Sequence, residues 1–413
     1  MPLTDPLSQV LLALAAVLVT GLFLGKILSY FGQPPVVAEI LAGVALGPSL
    51  LGSHLSGVLL PTTAAPLLEI IAQLGIVVYM FTVGRELGLD RLRQHTETLL
   101  ATTLGSLVVP FLMGMALAQL LYSRLAGTGA SSSNFALFIG ISLAITAFPV
   151  LARFLEDRRL LHSELGSLSL ASAAIGDVVA WCVLAFIVGG LKAQTGVGLK
   201  VMGGTLVYFV ILVLVIRPLL RHQMSRWKEE TLTPSQSAVI LVGLLLSALA
   251  TQAIGIHAIS GAFLWGAILP PNNRAMQVLL GQLKPVVTAL LLPAFFALTG
   301  MRVRIDLLVG WQDWLVCGCI IFVATLGKIG GTFFAARGTG VGARDALVLG
   351  ALMNTRGLIE LIVLNIGLDL HVISPTLFAM MVVMALVTTM MTAPALRWLL
   401  PDSRKTTQWR QHD

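Results

Sequence analysis

Asp177 is the residue from which chemistry can be argued first. It is the only charged residue between Glu164 and Lys192, in an otherwise apolar run that reads S-A-A-I-G-D-V-V-A-W from Ser172. A carboxylate near the middle of a bilayer costs about 2.5–3.5 kcal/mol on insertion scales, so it persists where it faces protein or water and has a task. Away from bulk water a carboxylate competes well for protons, and its ionised form attracts a cation. One acid that holds either a proton or a metal ion, exposed in turn to each side of a membrane, is sufficient for exchange.

Other charges lie deep in apolar sequence. Lys328, within F-V-A-T-L-G-K-I-G-G-T-F-F, is nine residues from Arg337, too far to snorkel, and is expected to meet a carboxylate or a backbone carbonyl. Either it tunes the charge of the interior or it pins irregular backbone. Arg356 and Glu360 are four apart, on one helical face, and are predicted to form an internal ion pair rather than a transport site. Glu39, in P-P-V-V-A-E-I-L-A-G, lines an entry path or is structural.

Two apolar stretches are also interrupted midway. Thr146-Ala147-Phe148-Pro149 puts a proline at mid-depth, where it removes a backbone donor. Met353-Asn354-Thr355-Arg356-Gly357 places polar residues and a glycine at equivalent depth. Pro149 alone could merely kink a packed helix. A matched pair of interruptions points to a transporter's site, because unwound backbone at mid-membrane can face an ion.

The elements that must position these residues follow from composition. Of 413 residues, 57% are hydrophobic and 11% charged, against about 25% charged in a soluble domain. The chain reads as an all-α polytopic membrane protein with no soluble domain. Its net charge of +7 comes from basic residues scattered singly and in short loops, which argues against a nucleic-acid partner. Cys182, Cys317 and Cys319 fall in apolar spans and are read as packing residues, and no cofactor is expected.

Thirteen spans are predicted, near 7–29, 35–52, 64–84, 97–122, 132–154, 164–190, 200–221, 236–254, 256–271, 286–301, 312–336, 344–368 and 376–399. The first is taken as a membrane helix and not a cleaved leader, being long and preceded by Asp5 rather than basic residues. With the N-terminus outside, 19 of the 26 Lys and Arg fall on the inner side and five on the outer, which places the C-terminus in the cytoplasm. Six helices, a linking helix and six more would give an inverted repeat, with spans 5 and 12 as partners.

The stretches 33–52, 144–153 (A-I-T-A-F-P-V-L-A-R), 172–181, 292–301 (L-P-A-F-F-A-L-T-G-M) and 353–367 (M-N-T-R-G-L-I-E-L-I-V-L-N-I-G) together resemble the monovalent cation:proton antiporter superfamily. The similar branch is that of plant cation/proton exchangers and bacterial glutathione-gated potassium-efflux antiporters. The resemblance implies an inverted-repeat sodium/proton antiporter fold over residues 1–400, with core helices near 64–190 and 286–399 and dimerisation helices near 7–52 and 200–271. It implies a homodimer, two crossed broken helices, Asp177 as transient carrier of H+ or a monovalent cation, and Thr146 and Ser172 beside it. By the same resemblance Lys328 is the core lysine, and Asn354 to Glu360 form the second broken helix, with Ala147, Phe148 and Pro149 in the first. The sequence departs from the pattern at Gly176, where related antiporters carry Asp, Asn or Gln.

The expected activity is therefore transport, not catalysis: Na+ or K+ exchanged for H+, one for one and electroneutral, in a bacterial inner membrane. The rival readings are a sodium-coupled organic-anion symporter and a channel or non-transporting sensor. The tail 401–413 is short, so gating by nucleotides is expected to need another chain.

Overall fold

In a computed structural model of the chain, the structure describes residues 5–59, 61, 64–87, 95–128, 130–191, 196–224, 232–270, 274–301, 303 and 307–400. The predicted tail 401–413 and the loop charges Arg91, Arg93, Lys192, Arg226, Lys228, Arg302 and Arg304 lie outside the described residues. The first helices are α1 (Pro6–Tyr30), α2 (Pro35–Leu46), α3 (Pro48–Leu59), α4 (Ala65–Glu86), α5 (Thr96–Leu125), α6 (Ser132–Ala144), α7 (Phe148–Asp157) and α8 (Glu164–Leu191). They continue with α9 (Gly196–Met224), α10 (Pro234–Ile254), α11 (Ala258–Ile268), α12 (Met276–Met301), α13 (Trp311–Gly338), α14 (Ala343–Met353), α15 (Leu358–Asp369) and α16 (Pro375–Leu399).

Every predicted span contains helix, but length and apolarity qualify ten as crossings among the described residues, counting α6 and α7 as one. α2 and α11 are shorter apolar helices, and the α14–α15 stretch is divided. The span predicted over 35–52 is also divided. Gly47 is extended before Pro48, which cannot supply an N–H and disfavours helix in the residue preceding it. α12 begins before the predicted 286, because the chain passes through Pro285 and relaxes in a π-turn at Val287–Leu291.

Helix starts obey local chemistry. Asp5, Ser131, Thr233 and Ser374 each accept a backbone N–H at the start of α1, α6, α10 and α16. Thr233 and Gln236 close a reciprocal capping box, and α10 ends at Gly255 with φ 105°.

The chain forms two compact units. One comprises Met1–Pro66, Leu92–Ala180 and Phe296–Asp413, and the other Leu67–Arg91 and Trp181–Phe295. In the first, α13 lies against α5, α14 and α16, and α5 also packs on α6. Gly105 and Gly331 make the α5–α13 approach possible: a Cβ on either would stand 2.4 or 2.3 Å from the other's carbonyl oxygen. In the second unit α10 packs on α11, Tyr208 hydrogen-bonds Ser247 at 2.6 Å, and Lys284 pairs with Glu86 at 2.8 Å.

Candidate functional site

The two interruptions are bonded to each other. α6 ends at Ala144, residues 145–147 are non-helical, and helix resumes at Phe148 with Pro149 in the first turn of α7, where its missing N–H is no loss. α14 ends at Met353, and residues 354–357 precede α15. The N–H of Ala147 donates to the carbonyl of Thr355 at 2.9 Å, and Thr146 Oγ1 donates to that of Met353 at 3.0 Å. A Cβ on Gly357 would stand 2.6 Å from Val150 and 3.3 Å from Ala147, so the close meeting of the breaks depends on glycine there. Thr389 of α16, which sequence reasoning did not single out, receives the N–H of Arg356 and donates to its carbonyl, both at 2.9 Å. Its only sequence signal is a threonine in an apolar helix.

Freed helix-end carbonyls need donors, since no water is at hand in a bilayer interior. Arg356 donates Nη1 to Ser142 at 3.0 Å and to Ile145 at 3.3 Å, and Nη2 to Leu143 at 2.6 Å. Lys328 Nζ donates to Ala144 and, at 2.8 Å, to Ser106 of α5. Cations are favoured at a helix C-terminus, where the partial charge is negative. Arg356 also lies 3.5 Å from Glu360, with neither side chain exposed, so the predicted pair forms. Of the two readings of Lys328, its hydrogen bonds correspond to the one in which it holds backbone.

Asp177 is 2% exposed on α8, in the same unit as both breaks. Ser172, five residues earlier, meets Thr102 of α5 at 3.2 Å. A Cβ on Gly176 would lie 3.7 Å from Leu107, the neighbour of Ser106 whose carbonyl binds Lys328. α8 therefore lies along the stretch of α5 that carries the lysine's acceptor. Asn354, 2% exposed, presents Oδ1 buried and without a hydrogen-bond partner among the described residues, an oxygen suited to a cation.

Glu39 sits elsewhere. Its Oε1 is 3.6 Å from Arg153 near the end of α7, and Arg153 also meets Glu156 and Asp157. Arg153 is buried within α7 and does not lie in a loop.

A many-helix membrane protein whose two interrupted helices bond to each other at their breaks has the architecture of a secondary transporter. The profile described as "Sodium/hydrogen exchanger, transmembrane" matches residues 13–400, and the chain belongs to that family. It is 38% identical over 404 residues to the Na(+)/H(+) antiporter NhaS4 of Synechocystis, covering 96% of this chain and 98% of that protein. It is 36% identical to cation/H(+) antiporter 20 of Arabidopsis thaliana and 32% identical to K(+)/H(+) antiporter 1 of Saccharomyces cerevisiae, covering 98% and 91% of this chain. It spans only 50% and 44% of those two proteins. The sodium proton antiporter MjNhaP1 of Methanocaldococcus jannaschii shares the fold, with a TM-score of 0.66 at 16% identity, over 96% of this chain and 100% of that one.

Proposed function

We propose that the chain exchanges a monovalent cation, Na+ or K+, for H+, with Asp177 carrying each in turn. The observation that carries this reading is the burial of a single carboxylate in the long apolar helix α8, at a position that belongs to the unit containing both interruptions. Thr146, Ser172 and the Oδ1 of Asn354 supply neutral oxygens for a partly dehydrated cation, while Lys328 and Arg356 hold the backbone of α6. One acid trades one proton for one monovalent cation, so the cycle is electroneutral. Moving one net charge per cycle would be worth about 2.3 kcal/mol per 100 mV, so an electroneutral cycle is insensitive to potential.

On this reading the protein is a homodimer in a bacterial inner membrane, with thirteen crossings, the N-terminus outside and the C-terminus inside. The helices near 64–190 and 286–399 form the moving core, and those near 7–52 and 200–271 the dimerisation part. The family membership and the relatives named as Na+/H+ and K+/H+ antiporters support it. The deciding experiment is exchange of Na+, K+ and Li+ against an imposed pH gradient in proteoliposomes. Saturable exchange that is lost in Asp177→Asn supports the proposal; an active Asp177→Asn overturns it.

A further inference from the structure

The buried ionisable groups that exchange does not use gather where α2 meets α7. Arg153 lies 3.6 Å from Glu39 of α2, 3.8 Å from Glu156 and 3.4 Å from Asp157. The side chains of Glu39 and Asp157 are only 9% and 8% exposed. Asp157 also receives the N–H of Val36 and faces Arg158. Arg158, however, donates to the carbonyl of Gly32 and is opposed by Arg397 of α16. Glu39, Glu156 and Asp157 thus share the guanidinium of Arg153.

Two carboxylate oxygens of this group stand apart. Glu39 Oε2 and Asp157 Oδ2 are both buried and have no hydrogen-bond partner among the described residues. An ionised oxygen in that condition is costly, and a bound proton relieves it by removing the charge and supplying a donor. The partners of Arg153 are also unequal: Glu156 and Asp157 lie on its own helix, three and four residues on, whereas Glu39 is its link to α2. Neutralising Glu39 therefore removes the ion pair between the helices and leaves those within α7.

We propose that Glu39 and Asp157 form a proton-binding site, separate from Asp177, that regulates exchange by fastening or releasing α7 against α2. α7 is the second half of the first interrupted helix, so its freedom bears directly on the break at residues 145–147. The site rests on the proposed exchange only in that there must be transport to regulate.

Two measurements on the full chain test it. The first is infrared difference spectroscopy during a pH titration, in an Asp177→Asn background. A protonated-carboxyl band should persist there and be lost or reduced when Glu39→Gln is added. The second is the pH profile of exchange in proteoliposomes. Glu39→Gln, which mimics the released state, should flatten the profile or move its midpoint by about one pH unit. Asp157→Asn leaves Arg153 to Glu39, so it should move the midpoint in the opposite sense, and it serves if Glu39→Gln does not fold. Profiles that superimpose on wild type, or a band indifferent to both substitutions, overturn the site. Absence of wild-type exchange would sink the proposed function instead, while the infrared measurement would still decide this site.

Discussion

Lys328 and Arg356 divide between them four consecutive carbonyls at the end of α6. Ala144 goes to the ammonium, and Ser142, Leu143 and Ile145 go to the guanidinium. Lys328→Met keeps the bulk of the side chain but leaves the carbonyls of Ala144 and Ser106 without this donor. At about 1–3 kcal/mol for each buried acceptor, the variant should melt well below wild type in detergent. An unchanged melting temperature would mean that the ammonium does not hold this backbone.

Arg356 and Glu360 should respond unequally. Arg356→Ala removes three carbonyl contacts as well as the ion pair, and losing one partner of a buried pair typically costs about 3–5 kcal/mol. Glu360→Gln keeps a polar side chain of the same size and leaves the guanidinium its three carbonyls. Thermal melts of the two variants check the order, and equal losses would show that the pair matters more than the helix end.

Gly176 is where stoichiometry can be challenged. A Cβ there has ordinary contact with Leu107 at 3.7 Å, so it can be introduced without displacing backbone. Gly176→Asp would put a second acid beside Asp177. Exchange by that variant should become sensitive to an imposed membrane potential, whereas wild type should not, and a proteoliposome assay under a valinomycin-set potential reads both.

Gly357→Ala tests the contact between the breaks. The added methyl would meet Val150 at 2.6 Å, and overpacking of this kind costs about 1–3 kcal/mol. The maximal exchange rate should fall by more than the apparent cation affinity, because the change disturbs how the halves meet rather than the carrier. Steady-state kinetics in vesicles separate the two quantities.

The proposed competition at Asp177 would carry its own pH signature. Where the proton form predominates, each unit of acidification should raise the apparent cation KM by up to about tenfold, leaving the maximal rate little changed. A KM indifferent to pH would show that the two ions do not share one acid.

The positions of the helices were legible because an apolar run long enough to cross a bilayer is a strong signal. Pro149 and the Asn354–Gly357 stretch marked both interruptions as a matched pair; a proline alone does not, since Pro110 and Pro394 lie inside unbroken helices. The partners of Lys328 were not legible: a backbone carbonyl has no residue type, so only coordinates show which four α6 surrenders. The acid group around Arg153 was hidden for another reason. An arginine just before Glu156, Asp157 and Arg158 reads as the rim of a loop, and nothing in the sequence draws Glu39, more than a hundred residues earlier, to its side.

The bond from Ala147 to Thr355 runs from main chain to main chain, so no substitution of either side chain deletes it outright. The two interrupted helices are in effect riveted at their breaks. On the proposed exchange, a stroke that tilts one interrupted helix would draw its counterpart along, and the surroundings of Asp177 would change as a single moving part.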